Sequence, residues 1–78
     1  MNQQAMRAAV IEELTRIAPD IDPAGVDDNV SLRDEYDLDS MDSLNLAAAL
    51  HQRLGIAIPE ADFARLQTLG DLLAYLGD

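Results

Sequence analysis

The residues best suited to chemistry lie in one short segment near the middle of the chain. Asp39 and Ser40 are adjacent, and Asp42 and Ser43 repeat the same pair three residues later. Asp39 is a strong helix N-cap residue, and Asp42 occupies the acidic position of a capping box. A serine directly after an N-cap residue lies on the first helical turn with its hydroxyl towards solvent. The pattern therefore predicts either a helix cap with no further role or a serine that accepts a covalent modification.

Nucleophilic catalysis by this serine is disfavoured by the position of the single histidine. His51 is eleven residues after Ser40, which is about 16 Å along a helix axis. That distance is too great for His51 to act as the general base for the Ser40 hydroxyl. A chain of 78 residues also leaves little room for an enclosed catalytic pocket. We therefore expect a protein that is not an enzyme and has no catalytic residue.

Acidic residues dominate the charge of the chain. Fifteen Asp and Glu face five Lys and Arg, for a formal net charge of −10, and nine of the acids lie between Asp20 and Asp42. Nucleic acid and anionic membranes are poor partners for such a charge, whereas basic protein surfaces attract it. The acidic segment does not continue into the ligand spacing of a calcium loop. We predict no dedicated metal site, and loose binding of divalent cations stays open.

The absence of cysteine and of long apolar runs limits the class of protein further. Without cysteine there is no disulfide framework and no thiolate zinc site. The first residues lack the basic start and apolar run of a signal peptide, and no apolar stretch approaches the roughly 20 residues that a bilayer requires. We expect a soluble, cytoplasmic protein.

The spacing of apolar residues predicts an all-α fold. Ala and Leu supply most of the hydrophobic residues, and β-branched residues are scarce. Met6, Val10 and Leu14 recur at helical spacing. The predicted elements are a helix over 3–17, a long loop over 18–39, a helix over 40–54, a short helix from Pro59 or Glu60 to Leu66, and a last helix with a capping box of Thr68 and Asp71. This is one domain over residues 1–78, a bundle of three main helices and one short helix.

The long loop after the first helix is expected to be ordered. Loops above about 12–15 residues are usually functional or disordered. In this loop apolar residues are spaced throughout, namely Ile21, Val26, Val30, Leu32 and Leu38. We therefore predict that the loop is held on the core.

The chain resembles an acyl carrier protein over nearly its whole length. Three segments carry the resemblance: Asp39-Ser40-Met41 with the helix that follows, the link Ile56-Ala57-Ile58-Pro59-Glu60, and the helix start Thr68-Leu69-Gly70-Asp71. They are similar to the family's Asp-Ser-Leu modification motif, its Ile-x-Ile-Pro-(Asp/Glu) link and its Thr-(Val/Leu)-Gly-Asp helix start. A bare Asp-Ser is weak support, but the three motifs at the family's spacing are specific.

The resemblance implies a covalent 4′-phosphopantetheine arm, whose terminal thiol carries an acyl or aminoacyl group as a thioester. Ser43 lies in Asp42-Ser43-Leu44, which matches the family tripeptide letter for letter, whereas Met41 follows Ser40 where the family has leucine. The whole segment aligns without gaps only when Ser40 is the modified residue, and Ser40 stands at the helix start. The resemblance therefore assigns the arm to Ser40.

The resemblance also implies a set of partner enzymes. These are a phosphopantetheinyl transferase, a ligase that loads the acyl or aminoacyl group, and downstream enzymes of fatty-acid, polyketide or other specialised biosynthesis with basic docking surfaces. We expect the carrier to be a monomer. The predicted partner-binding residues are three acids and three apolar residues on the exposed side of the 40–54 helix: Asp37, Asp39, Asp42, Met41, Leu44 and Ala48. For Met41 and Leu44, ordinary core packing is the alternative.

The helix after the serine departs from the pattern of common fatty-acid carriers. Where those carriers have several glutamates, this chain has Asn45, His51, Gln52 and Arg53. The difference favours a specialised carrier with a dedicated set of partners. The residues Ala47–Ala49 replace larger apolar ones, which either leaves space for a short cargo or lets the helices pack closer. The alternative function is an unmodified acidic helical adaptor that acts only as an interaction module.

Overall fold

Helices account for all the regular structure in residues 2–77, the part of the chain that the computed structural model describes. The elements are α1 (Gln3–Ile17), a 3₁₀ turn (Pro23–Gly25), α2 (Leu32–Tyr36), α3 (Ser40–Leu54), α4 (Glu60–Phe63) and α5 (Leu69–Gly77). Helix α1 packs against both α3 and α5. Within these residues there is no strand beyond an isolated bridge between Ser31 and Thr68. The predicted all-α bundle with three main helices is confirmed.

The core draws on all three main helices. Its least exposed large side chains come in pairs, Val10 and Leu14 from α1, Leu46 and Leu50 from α3, and Leu69 and Leu72 from α5. Burial of such a side chain contributes about 1.5–3 kcal/mol, so these pairs dominate the stability of the bundle. Ile17 at the end of α1 and Leu54 at the end of α3 pack against this cluster but are only partly buried.

The connection between α1 and α3 contains more structure than the predicted loop. Asp22 begins the 3₁₀ turn, and its Oδ1 accepts a hydrogen bond from the Ala24 N–H over 3.0 Å. Ser31 begins α2, and its Oγ accepts a hydrogen bond from the Asp34 N–H over 3.4 Å. These short polar side chains are typical of caps and turns. The prediction of one continuous loop was therefore wrong, because a helix of five residues is too short to show a 3.6-residue period.

The connection is nevertheless ordered and held on the core, as predicted. Four of its apolar side chains are buried, namely Ile21, Val26, Leu32 and Leu38, and Val30 is half-buried. Polar contacts add to this attachment. The Arg7 Nη2 donates to the Val26 carbonyl over 2.9 Å and pairs with Asp28 Oδ1 at 2.9 Å. The connection is thereby tied to α1.

A close approach at Gly70 ties the same connection to α5. The Gly70 N–H donates to the Asp28 carbonyl over 3.0 Å. A Cβ atom at Gly70 would lie 3.1 Å from that carbonyl oxygen, which is tighter than ordinary packing allows. Glycine at this position therefore lets the start of α5 lie directly against the connection.

The ends of the later helices differ in part from their predicted ends. Gly55 stops α3 with φ of 71°, as expected for a glycine C-cap. Helix α4 ends at Phe63 and not at Leu66, because the next residues bond as turns, the Leu66 N–H donating to the Phe63 carbonyl over 3.0 Å. At the start of α5 the Asp71 N–H donates to Thr68 Oγ1 over 3.0 Å, which is one half of the predicted capping box.

Candidate functional site

The start of α3 is built by the predicted capping box. Asp39 is the N-cap residue, and its Oδ1 accepts a hydrogen bond from the Asp42 N–H over 2.8 Å. In return the Asp39 N–H donates to Asp42 Oδ2 over 3.4 Å. Ser40 is the first residue of α3 and is exposed. The two carboxylates thus hold the helix start rigid while the serine hydroxyl stays accessible.

A tight turn before the capping box positions this segment. Asp37 ends α2 in the left-handed region with φ of 56°, and its N–H donates to the Arg33 carbonyl. Aspartate tolerates that conformation better than most residues. The next side chain, Leu38, is buried in the core, while Asp37 and Asp39 on either side of it are exposed. Leu38 therefore anchors the junction of α2 and α3 and leaves the acids and Ser40 at the surface.

A cavity of about 250 Å³ adjoins Ser40. Most of its wall is apolar, including Leu38, Leu44, Leu46, Ala47, Ile58 and Phe63. Polar groups join the wall at five positions, which are Ser40, Ser43, Arg33, Glu60 and Gln67. Of the three successive alanines of α3, only Ala47 lines this cavity. A cavity is therefore present next to the serine, and of the two alternatives for the three alanines, only Ala47 is placed to leave space.

The predicted apolar stripe on α3 is exposed. The exposed fraction is 63% for Met41 and 48% for Leu44, and Ala48 is exposed as well. These three residues form what we call the docking patch, and core packing of Met41 and Leu44 is excluded. Leu44 also lines the cavity beside Ser40. The patch is therefore continuous with the cavity.

The acids predicted to bind partners lie at the start of the same helix. Asp37 and Asp39 are exposed, whereas Asp42 is half-buried through its part in the capping box. We call these three residues the acidic rim. In the described residues no group of three or more potential ligands is arranged to hold a metal ion. None of the described helices is long and apolar enough to cross a membrane.

Arg53 has a structural role that sequence reasoning missed. Its Nη1 donates to Glu13 Oε2 over 2.8 Å, and its Nη2 pairs with Glu12 Oε2 at 2.5 Å. The hydrogen bonds to Glu13 and Glu12 raise the pKa of Arg53. Arg53 was noted only as a departure from the family pattern on α3. Arg53 joins α3 to α1. The only sign of this contact in the sequence was one arginine and two glutamates on predicted helices that are far apart in the chain.

The segment fits a phosphopantetheine arm. An arm esterified to serine requires an accessible hydroxyl and room for a phosphodiester and a long flexible chain. Ser40 is exposed on the first turn of a 15-residue helix, where the positive end of the macrodipole favours an anion. The cavity beside Ser40 has a mainly apolar wall. The arm contributes a terminal thiol that holds an acyl group as a thioester.

Comparison with known families identifies the class of protein. The family model for the phosphopantetheine attachment site matches residues 5–76, nearly the whole chain. The chain therefore belongs to the phosphopantetheine-attachment family of carrier proteins, and it carries a covalent 4′-phosphopantetheine.

The relatives are acyl carrier proteins of bacteria. A meromycolate extension acyl carrier protein of Mycolicibacterium aurum is 36% identical over 69 residues, covering 88% of this chain and 67% of the relative. The protein of that name from Mycobacterium tuberculosis strain H37Rv is 35% identical, covering 88% of this chain and 56% of the relative. An acyl carrier protein of Thermosynechococcus vestitus is 30% identical over 81 residues, covering 100% of this chain and 95% of the relative. The chain thus spans about two thirds or less of the length of the meromycolate carriers.

These matches define the function in general terms. The chain is an acyl carrier protein, and its fold and prosthetic group are those that sequence analysis implied. Its family requires a phosphopantetheinyl transferase to attach the arm and biosynthetic enzymes to use the cargo. The alternative of an unmodified adaptor has no support from the comparisons.

Proposed function

We propose that Ser40 carries the arm and presents an acyl thioester to enzymes that extend or transfer acyl chains. The observation that carries this proposal is the exposed Ser40 side chain at the start of α3, beside the cavity. Ser43 is a weaker candidate because it is half-buried and lies one turn inside the helix, where its N–H bonds to the Asp39 carbonyl over 3.1 Å. A transferase reaches the first position more easily than the second.

The proposed pathway is fatty-acid-type chain extension with a dedicated set of partners. The names of the meromycolate extension relatives support an acyl cargo of this type. The neutral and basic residues on α3, Asn45, His51 and Gln52, are exposed and support partners other than those of common fatty-acid carriers. The apolar wall of the cavity gives part of an acyl chain protection from water.

The proposed docking surface combines the docking patch with the acidic rim. Exposed Met41 and Leu44 offer apolar contact area, and the acids beside them attract basic side chains at long range. A loading ligase and the downstream enzymes would bind here through basic residues that surround an apolar surface. Because Leu44 belongs to both the patch and the cavity wall, a partner bound at the patch lies next to the cargo.

Five further predictions complete this proposal. We propose that residues 1–78 act as one carrier domain, which a core cluster extending from Met6 to Leu76 supports. We also propose that the domain is a monomer without catalytic activity of its own. The cytoplasm is the proposed location. Nucleic acid is not among the proposed partners because the net charge is −10.

Intact mass after expression with a phosphopantetheinyl transferase tests the proposed site. The wild type and the Ser43→Ala variant should each gain the mass of one arm, and the Ser40→Ala variant should gain none. The reverse pattern would assign the arm to Ser43. If neither variant nor the wild type gains mass, the chain is an unmodified adaptor and the proposal is wrong.

A further inference from the structure

Arg33 is the one basic side chain in the wall of the cavity beside Ser40. It is also the only arginine of the sequence between Arg16 and Arg53, and the sequence has no lysine. Among the described residues, Arg7, Arg16 and Arg53 each pair with a carboxylate, whereas Arg33 pairs with none. The acids that follow it in α2, Asp34 and Glu35, are one and two residues away, and side chains at those spacings do not face each other on a helix. The fold thus leaves Arg33 exposed at the wall of the cavity that adjoins the serine, without a carboxylate partner among the described residues.

The carboxylates beside Ser40 oppose the attraction that the helix macrodipole offers an anion there. The carboxylates of Asp39 and Asp42 flank it and are held in place by the capping box. At the start of α3 the Asp42 N–H bonds to the Asp39 side chain and the Ser43 N–H to the Asp39 carbonyl, so neither donor is free to bind a ligand. A phosphodiester on Ser40 would therefore add a negative charge between two carboxylates. A cation nearby would offset this repulsion.

We propose that Arg33 binds the phosphodiester of the 4′-phosphopantetheine arm. This inference rests on the proposed function, in which Ser40 carries the arm. A guanidinium suits the role because its planar donors match two phosphate oxygens and it stays charged at every accessible pH. Bound in this way, the first part of the arm is held against the cavity mouth, and the rest of the arm and its cargo remain free to enter the cavity or to reach a partner.

Phosphorus and arginine NMR of the arm-bearing protein without cargo tests the inference. Samples whose intact mass shows one arm are compared as wild type, Arg33→Gln, Arg33→Lys and Arg65→Gln. Arg65 is the matched control because it is exposed, forms no ion pair among the described residues and does not line the cavity. Arg33→Gln should shift the ³¹P resonance and narrow the signals of the arm, because the arm gains mobility. Arg33→Lys should have a smaller effect, and Arg65→Gln should have none.

Two further comparisons separate the inference from its alternatives. In the wild type, the Arg33 side-chain signal should move when the arm is attached, and added salt should move the ³¹P resonance towards that of Arg33→Gln because salt screens the contact. Identical ³¹P resonances in wild type and Arg33→Gln would overturn the inference. It would also be overturned if the Arg33 signal moved only with a succinyl cargo and not with a butyryl cargo, since the ligand would then be the cargo carboxylate. Failure to attach the arm at Ser40 would instead refute the proposed function.

Discussion

Arg53 on α3 donates a hydrogen bond to Glu13 on α1 across 2.8 Å and joins the two longest helices of the bundle. Glu13 is the one buried charged residue among those described, with 6% of its surface exposed. A second glutamate, Glu12, pairs with the same guanidinium at the surface. A buried carboxylate such as that of Glu13 requires a cation nearby. Of its two arginine partners, Arg53 at 2.8 Å is closer than Arg16 at 3.5 Å.

Replacement of Arg53 should destabilise the fold more than replacement of Arg16. Arg16 pairs with the same Glu13 at 3.5 Å, but its side chain is 77% exposed. We expect Arg53→Ala to lower the thermal midpoint because it leaves Glu13 buried with only the longer, solvent-screened contact. Arg16→Ala is the matched control and should change little. A midpoint for Arg53→Ala that is no lower than that of Arg16→Ala would show that the contact between α1 and α3 contributes no more stability than the exposed contact of Arg16.

The cap of α3 can be separated from the charge of Asp39. Asp39→Ala removes the acceptor for the Asp42 N–H and should lower the free energy of unfolding by about 0.5–2 kcal/mol. Asp39→Asn keeps an acceptor and should stay close to the wild type. Denaturant unfolding of both variants measures the difference. Equal losses for alanine and asparagine would mean that charge, and not capping, stabilises the helix start.

The two parts of the proposed docking surface should affect different rate constants. Asp37→Asn keeps a residue that tolerates φ of 56° and removes one charge, so it should slow association with a phosphopantetheinyl transferase and weaken the salt dependence. Leu44→Ala removes apolar contact area and should mainly speed dissociation. Surface plasmon resonance at several salt concentrations measures both effects.

Matched controls for these two variants lie elsewhere on the protein. Asp71→Asn removes the same charge from the exposed start of α5 and should change association less than Asp37→Asn. Tyr75→Ala truncates another exposed large side chain, outside the docking patch, and should leave dissociation unchanged. If the control variants behave like Asp37→Asn and Leu44→Ala, the partner binds a different surface.

Tyr75 should make the fold sensitive to alkaline pH. Its hydroxyl donates to Asp62 Oδ2 over 3.0 Å, and this hydrogen bond, followed by desolvation, raises the pKa of Tyr75 above 10.0. Because the folded pKa is the higher one, the contribution to stability is present below pH 10 and is lost as the pH rises through the folded pKa. Tyr75→Phe should therefore reduce the loss of stability above pH 10, measured by denaturant unfolding. An unchanged alkaline profile would contradict the assignment.

The long helices could be predicted to the residue from local patterns. The predicted 3–17 and 40–54 helices coincide with Gln3–Ile17 and Ser40–Leu54 because each has a clear apolar period and a recognisable stop, Pro19 after the first and Gly55 after the second. The capping box of Asp39 and Asp42, on either side of Ser40, could also be predicted from local spacing. Its residues are three apart, so sequence spacing alone defines their contact.

The features that depend on distant residues could not be predicted in this way. Glu13 and Arg53 are 40 residues apart, and nothing local to either residue indicates that they meet. The cavity beside Ser40 is lined by residues from α2, α3, α4 and α5, so its position is decided by how the helices pack. The free guanidinium of Arg33 is visible only once the partners of the other arginines are known.

Fragmentation of a peptide that contains both candidate serines distinguishes attachment of the arm at Ser40 from attachment at Ser43. Cleavage after Arg33 and Arg53 releases residues 34–53, which include Ser40 and Ser43. We predict that tandem mass spectrometry of this peptide from the modified wild type finds the arm on amino-terminal fragments that end at Met41 or Asp42. If the fragments that end at Met41 or Asp42 lack the arm and longer fragments that include Ser43 carry it, the arm is on Ser43 and not on Ser40.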